Sequence, residues 1–308
     1  MLRQRDFEQV QRDTGFNIDL LEKVYHLTRI LCGIENSKTL RRNLTLKGGS
    51  ALNFLYLNMP RLSIDLDFNF TGTASKEKMQ VLRPKILKTI KNLSEKLGYK
   101  YELRSQSYIM ARGYIRYESI RGFKDRVKIE INFLDRMPVL GRINKKFSSS
   151  FPDIPAFSIS TYRFEELIAM KIKAVMERMA VRDLYDLCEI RKQSFNINLA
   201  RKLVVFYSCM TNKKLTKQML MDKIRKYSQR DIIIGLNQFL RHREGTQNTV
   251  IAETENFLNK ILELTNSEKL FLKRFWDERK IEPNLLFKDS KDKDKLKHHP
   301  SLLFRIKK

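Results

Sequence analysis

Between Leu44 and Phe70 the chain reads LTLKGGSALNFLYLNMPRLSIDLDFNF, and few folds accommodate that order of residues. An apolar, β-rich run ends in Lys47-Gly48-Gly49-Ser50, and a short apolar helix is predicted from Ala51 to about Leu57. Arg61, Ser63 and the pair Asp65-Leu66-Asp67 then sit on a second apolar run. Strand residues two apart share a face, so Asp65 and Asp67 present two carboxylates side by side. Two like charges that close call for a divalent cation. The two glycines allow a tight turn that aims free N–H groups outward at a helix start, where anions bind. A phosphate cradle beside a metal-binding carboxylate pair is the minimum equipment for phosphoryl or nucleotidyl transfer. Without the glycine turn, an Asp-x-Asp strand is equally an ordinary strand end.

A second carboxylate signal comes from Val127-Lys128-Ile129-Glu130-Ile131-Asn132-Phe133. Val127, Ile129, Ile131 and Phe133 share one face, leaving Lys128, Glu130 and Asn132 on the other. Glutamate is depleted in strands, so Glu130 needs a reason. As a partner of Asp65 and Asp67 it completes a two-metal set, by ligating the second ion or by taking a proton from an attacking hydroxyl. The plainer reading is a solvent-facing glutamate paired with Lys128 or Arg126.

A third signal lies in TYRFEELIAMKIKAVMERMAVRDLYDL. Leu167, Lys171 and Arg178 fall within roughly 40° on one helix face, flanked by Ile168, Ile172 and Val175. A cation on the core side of a helix is costly unless an anion meets it. Lys171 is therefore a candidate for a triphosphate, whereas Lys173 reads as a solvated charge. Asp183 and Asp186 are three apart on one face. They read either as salt-bridge partners of Arg178 and Arg182 or as the groups that hold Lys171 and a nucleotide in place.

The 308 residues suffice for two domains. The formal charge of +26, with pI ≈ 10.0, points to a polyanionic partner, most simply nucleic acid. Arg104, Arg112, Arg116 and Arg121 interleave with Tyr108, Tyr114 and Tyr117, and Arg191, Lys192, Arg201, Lys202, Lys213, Lys214, Lys217, Arg225, Lys226, Arg230, Arg241 and Arg243 mark the helical half. Cations meet phosphates, and tyrosines stack on unpaired bases; only the sum of these residues is informative. The three cysteines are scattered, and His26, His242, His298 and His299 form no ligand cluster. That pattern suits a reducing cytoplasm. No run reaches the length of a membrane span and no signal peptide is read, so a soluble cytoplasmic protein is expected.

Residues 1–43 read as helical, with a stop at Gly33. Ser75 caps a long helix that contains Pro84 and ends at Gly98. Three antiparallel strands follow, with a bulge at Gly113. Residues 135–155 read as loop, and a short strand near Phe157–Ser160 precedes helices at 163–179, 182–192, 198–210, 215–227, 230–241, 249–264 and 267–279. The expected fold is α+β: a mixed sheet with helices on one side, followed by an α-helical C-terminal domain. The predicted domains are 1–150, 151–280 (completing the nucleotide site and binding acceptor) and a basic tail, 281–308, in which the pair His298–His299 reads as solvated and the run 288–297 as mobile.

Taken in order, Gly48-Gly49-Ser50-Ala51-Leu52, Arg61-x-Ser63-x-Asp65-Leu66-Asp67-Phe68, Ile129-Glu130-Ile131, Glu166-Leu167-x-x-x-Lys171 and Arg182-Asp183-Leu184-Tyr185-Asp186-Leu187 resemble the AbiEii/AbiGii-type nucleotidyltransferase toxins. These belong to the DNA polymerase β-like nucleotidyltransferase superfamily, and the resemblance spans residues 40–195. It implies that Gly48, Gly49 and Ser50 hold the phosphates of an NTP. It implies Mg²⁺, two ions, on Asp65 and Asp67, with Glu130 as the third acidic position. It places Lys171 at the triphosphate and Asp183 or Asp186 at the late aspartate motif. Ile64 departs from the polar residue frequent in the family. The resemblance further implies a cognate antitoxin and transfer to the 3′ end of tRNA, blocking aminoacylation. The alternatives are nucleotidylation of a protein or small molecule, or a catalytically silent nucleic-acid- or antitoxin-binding protein.

Overall fold

The structure is a computed structural model that describes residues 2–178, 180–241, 249–288 and 293–307. Arg243, part of the basic set, and residues 289–292 of the lysine–aspartate run lie outside the described residues. The chain divides into two units, Met1–Tyr162 with Gln238–His242, and Arg163–Asn237 with Arg243–Lys308.

The first unit begins with helices α1 (Gln4–Thr14), α2 (Ile18–Asn36) and α3 (Lys38–Asn43). Then come β1 (Leu44–Lys47), α4 (Gly48–Leu55), β2 (Asp65–Phe70) and α5 (Lys76–Lys96). Five strands complete it: β3 (Lys100–Gln106), β4 (Met110–Glu118), β5 (Lys124–Asn132), β6 (Arg142–Phe147) and β7 (Phe157–Tyr162). They form a seven-stranded mixed sheet of order β3-β4-β5-β2-β1-β7-β6. β2 runs parallel to β5 and antiparallel to β1.

Alternation decides which side of that sheet is covered. Leu66, Phe68 and Phe70 on β2, Val127, Ile129 and Ile131 on β5, and Ala111 and Ile115 on β4 are buried. Helix α2 packs against β5 and β7, α5 against β3, and α4 against β1 and β2. Ser75 caps α5 by accepting from Lys78 N, and Pro84 is carried inside that helix. Helix α2 does not stop at Gly33. A Cβ there would lie 2.9 Å from Leu93 Cδ1, so the glycine serves close packing of α2 on α5. The bulge lies on β3, where the register shifts between Leu103 and Ser105, opposite Gly113. Residues 142–147, expected as loop, form β6 on β7; the flanking Pro138, Gly141 and serine run hide it. The first unit therefore extends to Tyr162, because β7 belongs to its sheet.

The second unit is helical: α6 (Phe164–Glu177), α7 (Val181–Ile190), α8 (Ile197–Ser208), α9 (Lys217–Ile224), α10 (Gln229–Leu236), α11 (Val250–Ile261), α12 (Asn266–Glu278), α13 (Lys293–Leu296) and α14 (Pro300–Ile306). Several of the described residues near its end are packed. Leu286, Leu296 and Leu302 are buried, and so is His299, which caps α14 by accepting from Ser301 N at 3.2 Å. Its ring meets Phe206 edge-on, so this histidine is a core residue.

Candidate active site

The site grows from the β1–α4 junction. Gly48 has φ of +72°, the left-handed region that disfavours other residues. A Cβ on it would lie 2.8 Å from Asp67 Oδ2, so the backbone is pressed against that carboxylate. A Cβ on Gly49 would lie 2.8 Å from Arg61 Nη2 and 2.9 Å from Ser63 Oγ. Buried Ser50 donates its hydroxyl to the Asp65 carbonyl at 2.5 Å, and Ser63 Oγ lies 3.0 Å away. Asn53 Nδ2 donates to Gly49 O at 2.8 Å. The turn is thus riveted to the residues around the carboxylates. Helix α4 starts at Gly48, and Lys47, its N-cap, makes no side-chain cap bond. Its first-turn N–H groups are what this turn offers an anion. Ser50 offers its N–H, since its hydroxyl already serves β2.

Asp65 and Asp67 lie half-buried on the polar face of β2. The parallel register sets Asp65 opposite Lys128 and Asp67 opposite Glu130. Glu130 therefore joins the two aspartates on one face. Its carboxylate is ion-paired with Arg112 Nε. Lys128 Nζ lies 3.4 Å from Asp65 Oδ2 and 3.7 Å from Glu130 Oε1. Among the described residues no group of three His, Cys, Asp or Glu side chains is placed to hold a metal ion. Two carboxylates nevertheless suit magnesium, which is commonly held by one or two carboxylates together with substrate phosphates. The donor set is hard oxygen on a half-buried surface, and it fits that ion.

The same face continues outward. Arg112 stands opposite Glu130, Tyr114 opposite Lys128, and Arg116 opposite Arg126. The Arg126 guanidinium lies 4.2 Å from the Tyr114 ring centroid. Not every expected contact residue belongs here. Tyr117 is buried on the opposite face and donates to Asp125 Oδ2 at 2.9 Å. Arg121 pairs with Asp19. Sequence reading placed Lys128 beside Glu130 but missed its position against Asp65, which strand pairing alone determines.

In the second unit, Lys171, Asp183 and Asp186 do come together. Lys171 Nζ lies 2.9 Å from Asp183 Oδ1 and 2.7 Å from Asp186 Oδ2, with all three side chains at most 4% exposed. Arg178 Nε lies 3.4 Å from Asp183 Oδ2. Lys171 thus meets two carboxylates, and the largely exposed Arg178 adds a second cation beside Asp183. Burial by itself raises the Asp183 pKa, but the Lys171 and Arg178 charges outweigh it and hold the carboxyl below its ordinary range. Nearby Glu166, also buried, accepts from Tyr207 Oη at 2.6 Å. Several basic residues of this unit are paired: Arg191 with Glu253, Arg201 with Glu268, Lys214 with Asp277, and Arg225 with Glu255.

No helix among the described residues is long and apolar enough to cross a membrane. A comparison with curated proteins finds no match by sequence. Solved structures resemble the chain in fold. MenT4, a nucleotidyltransferase toxin of Mycobacterium tuberculosis, is 17% identical with a TM-score of 0.65, covering 88% of this chain and 96% of its own. JHP933 of Helicobacter pylori is also 17% identical, with a TM-score of 0.50 over 86% of this chain and 98% of its own. The family model described as nucleotidyl transferase AbiEii toxin of a type IV toxin–antitoxin system matches residues 29–272. With most of its length matched, and with the glycine turn seated against the Asp65–Asp67 strand, the chain belongs to the AbiEii family of nucleotidyltransferase toxins.

Proposed function

We propose that this nucleotidyltransferase uses magnesium to move a nucleotide from an NTP to the 3′ hydroxyl of an RNA, tRNA in particular, and so blocks translation in the cytoplasm. The observation that carries this reading is the contact of the Gly48 backbone with the Asp67 carboxylate, which sets an anion-binding helix start beside two metal-type carboxylates. The net charge of +26 and the Arg112–Tyr114–Arg116 row on the same sheet face support an RNA acceptor. Family membership implies a cognate antitoxin as a partner.

Gly48, Gly49 and Ser50 present backbone N–H groups to the phosphates. Asp65 and Asp67 would hold Mg²⁺, which when bound polarises the phosphoryl oxygens and neutralises charge on the leaving group. Glu130, steadied by Arg112 and Lys128, orients the acceptor hydroxyl or takes its proton. The acceptor oxygen bonds to the α-phosphorus, the α–β bridge breaks, and pyrophosphate leaves. Lys171 has two assignments. The resemblance implies a triphosphate contact, while its ion pairs with Asp183 and Asp186 support a role in holding the second unit together.

Purified protein incubated with Mg²⁺, labelled nucleotides and total RNA tests the reading. Label on an RNA 3′ end, absent in Asp65→Ala, is the expected result. Label on protein alone would overturn the RNA acceptor and keep the transferase. Growth arrest on expression that is identical for Asp65→Ala would show that the chemistry is not the function.

A further inference from the structure

A polar cavity lies at the β6–β7 edge of the same sheet. It has a volume of about 740 Å³ and is bounded by the end of α2, by α3 and by the β6–β7 pair. Its walls include Glu35, Arg41, Arg42, Arg142, Ile143 and Phe157. None of these belongs to the glycine turn or the carboxylate strands. β6 is three strand spacings from β2, roughly 14 Å along the sheet.

Three features describe what this cavity would take. The first is charge. Three arginines and one glutamate line it, a surplus of two positive charges even with Glu35 ionised. That surplus equals the charge of a phosphate monoester dianion. Arg142 is fixed, donating through Nη1 to the Arg42 carbonyl at 2.9 Å. Planar guanidinium groups are the usual readers of phosphate. The second feature is Glu35. It is 3% exposed, its Oε1 accepts from Ser160 N at 3.1 Å, and its Oε2 is buried with no hydrogen-bond partner. Burial pushes its pKa up to about 7, against the pull of the Ser160 N–H and of Arg41 and Arg142. A buried carboxyl with an unmatched oxygen beside an anion site calls for a ligand that also carries an N–H donor. The third is the apolar wall of Ile143 and Phe157, which suits the face of a flat ring.

We infer that this cavity binds a nucleoside phosphate, with the phosphate on Arg41, Arg42 and Arg142, the base against Phe157, and an exocyclic amino group on Glu35. The volume lies in the range of small-ligand pockets. The same chemistry is offered by a free nucleotide and by a nucleotide within an RNA chain. The inference goes beyond the transferase reading and stands without it.

Equilibrium binding to the full chain in magnesium-free buffer tests it, with AMP, inorganic phosphate and a short single-stranded oligoribonucleotide as probes. Thermal melting checks that each variant is folded. AMP is expected to bind the parent chain and Asp67→Ala alike. The double variant Arg41→Ala/Arg42→Ala is expected to lose AMP affinity by about tenfold or more. Glu35→Gln should weaken AMP while leaving inorganic phosphate as tight as in the parent or tighter, since phosphate has no amino group. A parallel tenfold loss for the oligoribonucleotide assigns the cavity to a nucleotide of an RNA chain; a loss for AMP alone assigns it to a free nucleotide. The inference is overturned if the parent binds neither AMP nor the oligoribonucleotide, if the folded double-arginine variant binds both as the parent does, or if Asp67→Ala abolishes AMP binding.

Discussion

Asp65 and Asp67 in the first unit, and Asp183 and Asp186 in the second, are pairs of aspartates close in sequence, yet they meet opposite surroundings. Asp65 and Asp67 lie half-buried on a sheet face, with Lys128 at 3.4 Å from one of them. Asp183 and Asp186 are buried against Lys171, and the exposed Arg178 reaches Asp183. Carboxylates that are only half-buried keep lone pairs for a metal or a substrate. Carboxylates buried against a lysine are held by it, and removing that lysine strands buried charge. On the proposed reading, identical residue types divide into chemistry and architecture according to burial.

The sharpest way to break this comparison is Asp67→Asn. Nucleotide transfer should fall about 10³-fold while the melting temperature stays within a few degrees of the parent, because the lost group serves charge stabilisation rather than packing. Wild-type turnover would remove the carboxylate from the mechanism. Lys171→Met should do the reverse. It leaves two aspartates buried without their ammonium, a loss of about 3–5 kcal/mol, or roughly 10 °C in melting temperature. An unchanged melt with a raised KM for NTP would return Lys171 to the triphosphate.

A further contrast within the first unit concerns His26. It is buried, with Tyr99 Oη 2.8 Å from Nδ1, and burial together with Arg29 lowers its pKa to about 3. Burial disfavours an ion pair in its 3.6 Å contact with Glu22, because it raises the Glu22 pKa as it lowers that of His26. A depressed histidine pKa means that the unfolded chain binds the extra proton. Stability from His26 is complete above its ordinary pKa of 6.5 and declines as pH falls toward 3. His26→Phe should therefore gain on the parent as pH drops, by roughly 3 kcal/mol at pH 4. Melting curves of both proteins from pH 7 to pH 4 measure this. Taking their difference cancels Glu35, whose raised pKa acts in the opposite sense. A gap independent of pH would refute a neutral His26.

The smallest effect is expected at Gly48. Alanine there meets a left-handed backbone costing about 1–2 kcal/mol, and its methyl presses on Asp67. Gly48→Ala should lose transfer by about 10- to 100-fold with a melting shift of only a few degrees. Full activity would detach the turn from the carboxylates.

Period-two alternation made Asp65 and Asp67 legible as a same-face pair before any coordinates, and put Glu130 on the polar face of its own strand, because the pleat has one geometry. Helical spacing similarly located α6 and put Lys171 on its core side. What periodicity could not show was pairing. Lys128 beside Asp65, and Arg112 on Glu130, depend on which strands adjoin and in what register. The β6 strand and the His299 core contact escaped for a related reason. Turn residues and a charged tail look alike in one dimension whether or not distant apolar groups close over them.

Local chemistry in the sequence determined the kind of reaction: a glycine turn, paired carboxylates and a large positive charge follow from residue types and spacing alone. Only the tertiary structure decided which charged groups stay available. Whether an aspartate meets solvent or a buried lysine is a matter of long-range packing, and a carboxylate's desolvation and partners are set by chain segments far from it in sequence.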